Sequence, residues 1–290
     1  MLNRRQTILT ATAASLLGMR SARAALMDAY APPALVQSPP LVPVPEPAWK
    51  RFAVKVPPAN GRPVLALMID DMGVNRVQTE RALALPGPLT MSWLPYARHL
   101  ADQIAEGGGR GHETMLHMPM QPMGHLDPGP NALRVDLPME RNLEYLQQAF
   151  ELMPSAVGLN QHEGSVASLS VPLMDLVMKQ LVPRQMLFID SLTVVGSVAL
   201  REARSAGLPS LPRDVFLDNT TNVADIRGQL ARCEQIARRY GVCVAIAHPR
   251  AHTIDVLEQD LPKMIDRGVV LWPISAAVAD RGVLPHTATS

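Results

Sequence analysis

The chain has 290 residues, of which 47% are hydrophobic and 18% are charged, and its formal net charge at pH 7 is +1. A nearly neutral chain lacks the basic face that binds nucleic acid, so the composition argues against a nucleic-acid-binding protein. After residue 24 no stretch approaches the roughly twenty apolar residues of a membrane span, and we expect a soluble mature protein.

Residues 1–24 have the pattern of an export signal. Arg4 and Arg5 precede an apolar stretch from Ile8 to Gly18, and a small-x-small cleavage site ends at Ala24. The Arg pair resembles a twin-arginine signal, although an ordinary signal that happens to hold two Arg is the alternative. Because this segment holds four Arg and no other charged residue, its removal would leave a net charge of −3. We expect an exported, periplasmic protein with no stable membrane insertion after cleavage.

The next segment, residues 25–61, is rich in proline. Nine prolines lie between Pro32 and Pro58, and such a stretch favours extended polyproline geometry and buries little surface. We interpret it as a linker or as a strap along the domain surface. The remainder predicts one folded unit, residues 62–280, followed by a short tail, residues 281–290.

Cys233 and Cys243 are the two cysteines of the chain. An exported protein could pair them. Cargo that folds before export, in a reducing compartment, favours two buried free thiols instead.

Short apolar runs alternate with helical patterns along the folded unit. The runs predict strands buried on both faces, at Val64–Ile69, Leu89–Trp93, Thr114–His117, Ala156–Asn160, Met186–Asp190, Leu208–Val215, Val242–Ala247 and Val269–Pro273. The helical patterns cover Arg76–Leu83, Arg98–Glu106, Met139–Met153, Val171–Leu181, Ser197–Ala206, Ala224–Tyr240 and Ile254–Arg267.

This alternation predicts an α/β fold with a mostly parallel sheet. Seven or eight βα units leave two architectures, an open doubly wound sheet and a distorted (β/α) barrel of seven to eight strands. No Gly-x-Gly-x-x-Gly follows a strand and no Walker-type loop is present. Polar residues close nearly every strand, which favours a barrel whose strand ends converge on one pocket.

Asp70 and Asp71 are the sharpest local feature, because they directly follow the first buried strand. Chemistry in parallel α/β folds lies at the carboxyl ends of strands. One carboxylate can hold a cation while the other accepts a proton, and strand alternation predicts that the two point in different directions. The alternative is a polar strand end with one Asp capping the next helix.

Other strand ends carry His, Asn and Asp. His117 by itself is as easily explained as a hydrogen-bonded core histidine. In the loop after the fourth predicted strand, Asn160 and His162 share one face in extended geometry. His248 ends the most hydrophobic strand, where an imidazole would suit proton delivery to a leaving group. Asp190 follows another strand and would orient substrate or catalytic groups, or cap a helix.

Taken together, these segments resemble the divergent polysaccharide deacetylases, a branch related to the NodB-type carbohydrate esterases. The resemblance runs from about Arg62 to Val278. Its motifs are Val64–Asp71 with Met72-Gly73, Arg110-Gly111-His112-Glu113 through Leu116-His117-Met118-Pro119-Met120, Gly158–Ser165, Phe188-Ile189-Asp190-Ser191, Arg213–Asn219 and Ile246-Ala247-His248-Pro249.

The resemblance implies a distorted (β/α) barrel and a divalent metal, most commonly zinc. In the better-known deacetylases two His four residues apart complete the metal site, but Gln121 stands four residues after His117 here. The divergent branch carries its second His in the Asn-x-His-x-Gly-Ser loop. The implied ligands are therefore Asp71, His117 and His162.

The resemblance also implies an activity, namely removal of N-acetyl groups from envelope or other N-acetylated polysaccharide. Asp70 is the expected base and His248 the expected acid, with Asp190 setting the tautomer of His248 or contacting substrate. The expected substrate-binding residues are Asn160, Ser165, Arg213 and Asp214.

Two alternatives to this activity stay open. One is a barrel that binds glycan or an envelope protein without turnover, suggested by the missing classical His and by the long Met-rich loop from Met118 to Pro138. The other is a metal hydrolase with another substrate, such as an ester. Aromatic residues are few, and the candidate sugar-stacking platforms are Trp93, Tyr96 and Trp272.

Overall fold

The computed structural model describes residues 46–281. The elements in chain order are α1 (Ala48–Arg51), β1 (Val64–Met72), α2 (Arg76–Leu83), β2 (Thr90–Trp93), α3 (Leu100–Gly109), β3 (Glu113–Met120), α4 (Met139–Leu152), β4 (Gly158–Glu163), a 3₁₀ turn (Ala167–Leu169), α5 (Val171–Arg184), β5 (Leu187–Asp190), α6 (Ala199–Ser205), β6 (Ser210–Pro212), β7 (Val215–Phe216), α7 (Val223–Tyr240), β8 (Val242–Ala247), α8 (Ala251–Asp266), β9 (Val270–Trp272) and α9 (Ile274–Arg281).

Three predicted segments fall wholly or largely outside that range. The export signal and the tail after Arg281 lie outside the described residues, as does the Pro-rich segment up to Pro45. Within residues 46–281, no helix combines the length and the apolar character that crossing a bilayer requires.

All strand pairs of the sheet are parallel, as the buried apolar runs predict. The strand order is β6-β5-β4-β3-β2-β1-β8-β7, and β9 pairs with the first residues of β1. The prediction of a distorted (β/α) barrel is therefore confirmed. In the described residues, eight strands lie side by side around the sheet, and a short ninth strand pairs with β1 outside this row.

The seam of the barrel lies between β6 and β7, where one chain segment crosses from one edge of the sheet to the other. Arg213 N donates to the last carbonyl of β5 (3.0 Å), and Asp214 N donates to a carbonyl in the middle of β8 (2.8 Å). The prediction of a single strand over Leu208–Val215 is therefore wrong. Arg213 N still bonds to β5 and Asp214 N already bonds to β8, so the chain changes from one edge of the sheet to the other between these two residues.

Alternate residues of β1 face two different apolar cores. Val64, Ala66 and Met68 belong to an inner core made largely of strand residues. The residues between them, Leu65, Leu67 and Ile69, pack in an outer core with the helices. Burial on both faces is what a run without polar alternation requires.

Residues 46–59 lie against the amino-terminal end of the barrel. Trp49 N donates to Gln185 O, just before β5 (3.2 Å), and Trp49, Phe52 and Val56 pack against the inner core. Cys233 on α7 and Cys243 on β8 are buried free thiols. A hydrogen bond with Cys243, reinforced by burial, raises the pKa of Cys233.

Some predicted helix limits shift for local reasons. The predicted helix Ser197–Ala206 begins only at Ala199, and the Ser197 hydroxyl accepts the Ala199 N–H (3.2 Å) while it donates to Asp190 (2.9 Å). The helix predicted to end at Leu181 runs on to Arg184.

Gly158 is tightly packed at the start of β4, which generates a stability prediction. A Cβ at this position would overlap the carbonyl oxygen of Leu187 and lie 2.5 Å from its Cδ1. Leu187 is also the strand partner of Gly158, so neither backbone can move without disrupting β4–β5 pairing. We expect Gly158→Ala to lower the free energy of unfolding by about 2 kcal/mol or more, measured by urea denaturation followed by circular dichroism.

The matched control is Gly228→Ala within α7, where an added Cβ meets no atom within 4 Å. Because Ala is the better helix former, this change should raise stability by about 0.5–1 kcal/mol. Equal effects of the two substitutions would contradict the packing argument.

Candidate active site

Three side-chain atoms converge at the carboxyl ends of β1, β3 and β4, and we call them the donor triangle. They are Asp71 Oδ1, His117 Nε2 and His162 Nδ1, and all three lie within 4.8 Å of one another. The separations are 2.8 Å from Asp71 to His162, 3.3 Å from Asp71 to His117 and 3.2 Å between the two imidazoles. The structure thus brings together the three residues expected to hold a metal.

The donor triangle has the dimensions of a cation site. A tetrahedral ion with ligands at 2.0–2.2 Å sets those ligands roughly 3.3–3.6 Å apart. The two separations from His117 are close to this range, and the separation of 2.8 Å between Asp71 and His162 is shorter. Asp71 Oδ1 is buried and accepts no hydrogen bond of acceptable geometry, despite the two nearby ring nitrogens. A buried, unpartnered carboxylate oxygen facing two imidazole nitrogens fits a divalent ion.

The charges around the triangle keep Asp71 ionised. Burial alone would raise the pKa of Asp71, but His117 and His162 outweigh it and hold that pKa well below its usual range. Burial would lower the pKa of His117, but Asp70 and Asp71 raise it above the ordinary value. An ionised carboxylate is the form that ligates a metal.

The two adjacent carboxylates approach the same imidazole, contrary to the expectation from strand alternation. His117 Nε2 lies 3.6 Å from Asp70 Oδ2 and 3.3 Å from Asp71 Oδ1. The physical reason is the left-handed backbone of Asp71 (φ 55°), which accompanies a register shift between Ile69 and Met72. Backbone strain of this kind is typical of functional sites.

Asp70 is buried beside the donor triangle and is held by one amide. Asn160 Nδ2 lies 3.0 Å from each of the two carboxylate oxygens of Asp70 and donates to them. Burial raises the pKa of Asp70, and the positive charges of His117 and His248 offset part of that increase. A carboxylate with a raised pKa is better matched to proton transfer near neutral pH than an ordinary one.

His248 lies on another side of the same site and has its own carboxylate partner. Its Nε2 is 4.0 Å from Asp71 Oδ2, and its Nδ1 is 2.9 Å from Asp218 Oδ1. Asp218 also accepts hydrogen bonds from His248 N and from the Thr253 hydroxyl. Burial alone would lower the pKa of His248, but the bond to Asp218 and the nearby carboxylates raise it.

The expectation that Asp190 sets the tautomer of His248 is wrong, because Asp218 occupies that position. Asp190 is fully buried and accepts hydrogen bonds from Gln161, from Ser197 and from the backbone N–H groups of Leu192 and Leu200. These bonds fix the loop from β5 to α6, so Asp190 supports the edge of the site rather than facing it.

The four expected substrate-binding residues have four different environments. Asn160 is fully buried, so it cannot contact a substrate, and Ser165 accepts the Met123 N–H and anchors a loop. Asp214 accepts from Val244 N and from Arg281, about four strand residues away from His248, and is not part of the site.

Arg213, by contrast, lies at the site. Its guanidinium donates to the carbonyls of Ser191 and Leu192 and stacks 4.9 Å over the ring of Phe216. That ring lies 5.1 Å from His248.

Two of the three candidate stacking platforms are unavailable to a ligand. Trp93 and Trp272 are 0% and 5% exposed and belong to the apolar cores. Tyr96 is half-buried, and burial together with the charge of Asp71 raises its pKa. The next residue, Ala97, packs against Gly73, two residues after Asp71, so Tyr96 lies beside the turn that follows the donor-triangle carboxylate. Gly129 packs against the ring, where an added Cβ would be 2.7–2.8 Å away.

The comparison with known proteins agrees with this geometry. The sequence profile described as divergent polysaccharide deacetylase matches residues 67–278. The chain belongs to this family. The resemblance expected from the sequence motifs is thereby confirmed.

Curated relatives of this deacetylase-family chain occur in two bacteria. YibQ, an uncharacterized protein of Escherichia coli (strain K12), is 34% identical over 195 residues, which are 67% of this chain and 61% of YibQ. An uncharacterized protein of Haemophilus influenzae (strain ATCC 51907 / DSM 11121 / KW20 / Rd) is 32% identical over 197 residues, or 68% of this chain and 70% of that protein. The match thus spans less than two thirds of YibQ.

A solved structure shares the fold of this family member. The uncharacterized protein ATU2773 from Agrobacterium tumefaciens C58 has a TM-score of 0.75 and 23% sequence identity, covering 80% of this chain and 95% of that one. At this identity the likeness establishes the fold alone.

Sequence reasoning assigned no role to Ser92 or Asp218, which the structure places in the site, and it named Ser191 only as part of the segment that begins at Asp190. Asp218 follows a short apolar run, so the rule that found the other strand ends could have found it. The two Ser residues contact Asn160, and serine at a strand end gives no comparable signal.

The Asp218–His248 pair predicts a pH-dependent stability in protein kept free of metal by a chelator. Below about pH 6.5, His248 is protonated in the folded and unfolded chains, and Asp218 contributes its full charge stabilisation. This contribution is lost as the pH rises through the raised pKa of folded His248. Asp218→Asn should therefore lower the melting temperature more at pH 5.5 than at pH 9, and it should lower the pKa of His248 in an NMR titration.

The control is Asp175→Asn, which breaks an exposed pair with Lys179 and should cause little change at either pH. An equal loss at both pH values for Asp218→Asn would show that the carboxylate acts through hydrogen bonds and not through the charge of His248.

Proposed function

We propose that this protein is a metal-dependent hydrolase that removes N-acetyl groups from N-acetylated polysaccharide of the cell envelope. One observation carries the proposal: two groups suited to proton transfer lie beside the donor triangle. The buried carboxylate of Asp70 is 3.6 Å from His117, and the imidazole of His248, which Asp218 holds, is 4.0 Å from Asp71. Membership of the divergent polysaccharide deacetylase family supports the substrate class. The predicted export signal supports a periplasmic location, which is part of the proposal.

The residues of the donor triangle fit zinc best among the common divalent ions. Two imidazole nitrogens and one carboxylate oxygen form a ligand set typical of catalytic zinc, with coordination positions left for water and substrate. A bound ion of this kind supplies a Lewis acid that polarises the amide carbonyl and lowers the pKa of water.

Asp70 and His248 divide the proton transfers between them. Asp70 accepts a proton from the attacking water, because it lies beside the donor triangle and Asn160 holds its carboxylate in place. His248 donates a proton to the departing nitrogen, and Asp218 favours the protonated ring that this role needs. The C–N bond breaks, acetate leaves with the water oxygen, and the amine leaves with the His248 proton.

Tyr96 and Arg213 are the proposed contacts for the sugar. Tyr96 is the half-buried aromatic ring near Asp71, and an aromatic face suits the apolar face of a sugar ring. Arg213 stacks on the ring of Phe216, and that ring lies beside His248. The guanidinium is therefore at the edge of the site next to the proposed acid.

A glycan-binding barrel without turnover is the competing function, and the sequence feature that suggested it has a structural explanation. Gln121 occupies the position of the second classical His, and its Oε1 accepts the Val135 N–H (2.8 Å). Gln121 therefore fixes the loop after β3, while His162 enters the donor triangle from β4. The change of residue at position 121 does not leave the triangle incomplete.

Removal of His162 tests the metal site. Because it deletes one of three donors, His162→Ala should weaken zinc binding by at least about tenfold, measured by competition with a chelating dye. His125→Ala in the exposed loop after β3 is the matched control and should bind zinc like the wild type. Equal zinc affinity of all three proteins would mean that the donor triangle does not hold the ion.

Replacement of Asp70 tests the chemistry. Asp70→Asn keeps the shape of the side chain and leaves the donor triangle intact, so zinc binding should survive. Acetate release from acetylated chitooligosaccharides and peptidoglycan should fall by roughly 10²–10⁴-fold, the usual contribution of a positioned base. A wild type that binds these glycans and releases no acetate with any divalent metal would overturn the hydrolase and leave the binding barrel.

A further inference from the structure

We propose that Asn160 is a positioning residue that orients the base and a metal ligand through the two ends of one amide. The inference rests on the proposed function, and it replaces the substrate contact expected from the sequence. Asn160 is fully buried in β4, directly beneath the site.

The Asn160 amide contacts side chains from four other strand ends. Its Nδ2 donates to Asp70 near the end of β1 and to Ser191 just after β5 (3.1 Å), and its Oδ1 accepts from Ser92 on β2 (2.5 Å). The same Oδ1 lies 3.1 Å from Nδ1 of His117 on β3. Strands β5, β4, β3, β2 and β1 are consecutive neighbours in the sheet. One amide thus joins the polar ends of five adjacent strands.

The polarity of the amide is fixed by its partners. An ionised carboxylate only accepts hydrogen bonds, so the NH₂ end of Asn160 must face Asp70. The oxygen end then faces His117 and Ser92. The reverse orientation would set two acceptors against each other at 3.0 Å and lose the contact with the ring nitrogen.

This polarity determines which nitrogen of His117 can bind a metal. An oxygen at 3.1 Å from Nδ1 favours the ring that carries its proton on Nδ1. Nε2, the atom in the donor triangle, is then left with its lone pair free for an ion. Hydrogen bonds to the far nitrogen of a ligating imidazole commonly change metal affinity by 10–100-fold.

The NH₂ end of the Asn160 amide donates to the carboxylate of Asp70. It lies 3.0 Å from both carboxylate oxygens, so it fixes the plane of the carboxylate and holds it in place beside the donor triangle. One side chain therefore sets the position of the base relative to His117, because any rotation of the amide moves both contacts together.

Gln161 provides an internal comparison, since it is the next residue of β4 and an equally buried amide. Its side chain points to the other face of the strand and bonds to Asp190, to Ser168 and to the backbone of Ser191. It contacts no member of the donor triangle. A purely structural amide at this depth should behave like Gln161.

The experiment compares three variants of the full chain: Asn160→Leu, Asn160→Asp and Gln161→Leu. Circular dichroism and thermal denaturation first establish that each is folded. Zinc affinity is then measured by competition with a chelating dye, and acetate release is measured at saturating zinc.

Each variant has a distinct expected result. Asn160→Leu removes both ends of the amide and should weaken zinc binding about 10–100-fold and lower turnover. Asn160→Asp keeps an oxygen acceptor for Nδ1 of His117, so this variant should bind zinc at least as tightly as the wild type. It replaces the NH₂ group that faces Asp70 with a second oxygen, so the carboxylate of the base is no longer held and turnover should be lost. Gln161→Leu should keep both zinc affinity and turnover within a few-fold, despite losing a buried amide.

The inference is overturned if folded Asn160→Leu binds zinc like the wild type, or if Gln161→Leu weakens zinc binding as much. It is also overturned, together with the proposed metal site, if the wild type binds no divalent ion. A wild type that binds zinc with the expected variant pattern but releases no acetate would reject the deacetylase alone and leave the role of Asn160 toward His117 standing.

Discussion

Parallel strand pairing is the constraint on which the rest of this structure depends. Because every strand of the sheet runs in the same direction, the polar residues that end the apolar runs meet at one edge of the barrel. Burial of both faces of β1 fixes its register against β8 and β2, and this register delivers Asp70 and Asp71 to the same edge as His117. The site is therefore a consequence of the topology rather than of any one loop.

The site brings together charges that would be costly to bury separately. Three carboxylates, of Asp70, Asp71 and Asp218, and three imidazoles lie within a few ångströms of one another, and each carboxylate has an imidazole or an amide beside it. The pKa values of Asp71 and Asp218 are lowered while those of His117 and His248 are raised, so these four groups favour their charged forms; Asp70 is the exception, because its burial raises its pKa. Mutual compensation of this kind is what makes buried ions tolerable.

The sequence allowed the strands and most site residues to be predicted, because buried parallel strands have a strong signal and their polar ends stand out against it. It could not predict the direction of Asp71, since a left-handed residue at a strand end reverses the alternation on which the prediction depends. It also could not separate Trp93 and Trp272, which fill cores, from Tyr96, which lies near the site, because composition carries no information on burial.

Asp190 and Asp218 show why residue type at a strand end does not settle its role. Both are fully buried aspartates that follow apolar runs, and both accept several hydrogen bonds. Asp190 directs its oxygens toward Gln161 and the start of α6, whereas Asp218 directs its oxygens toward His248 and Thr253. The difference lies in which neighbouring element supplies the donors. A network with one end on a helix terminus fixes a loop, whereas a network with one end on an imidazole in the site sets that imidazole's protonation and tautomer.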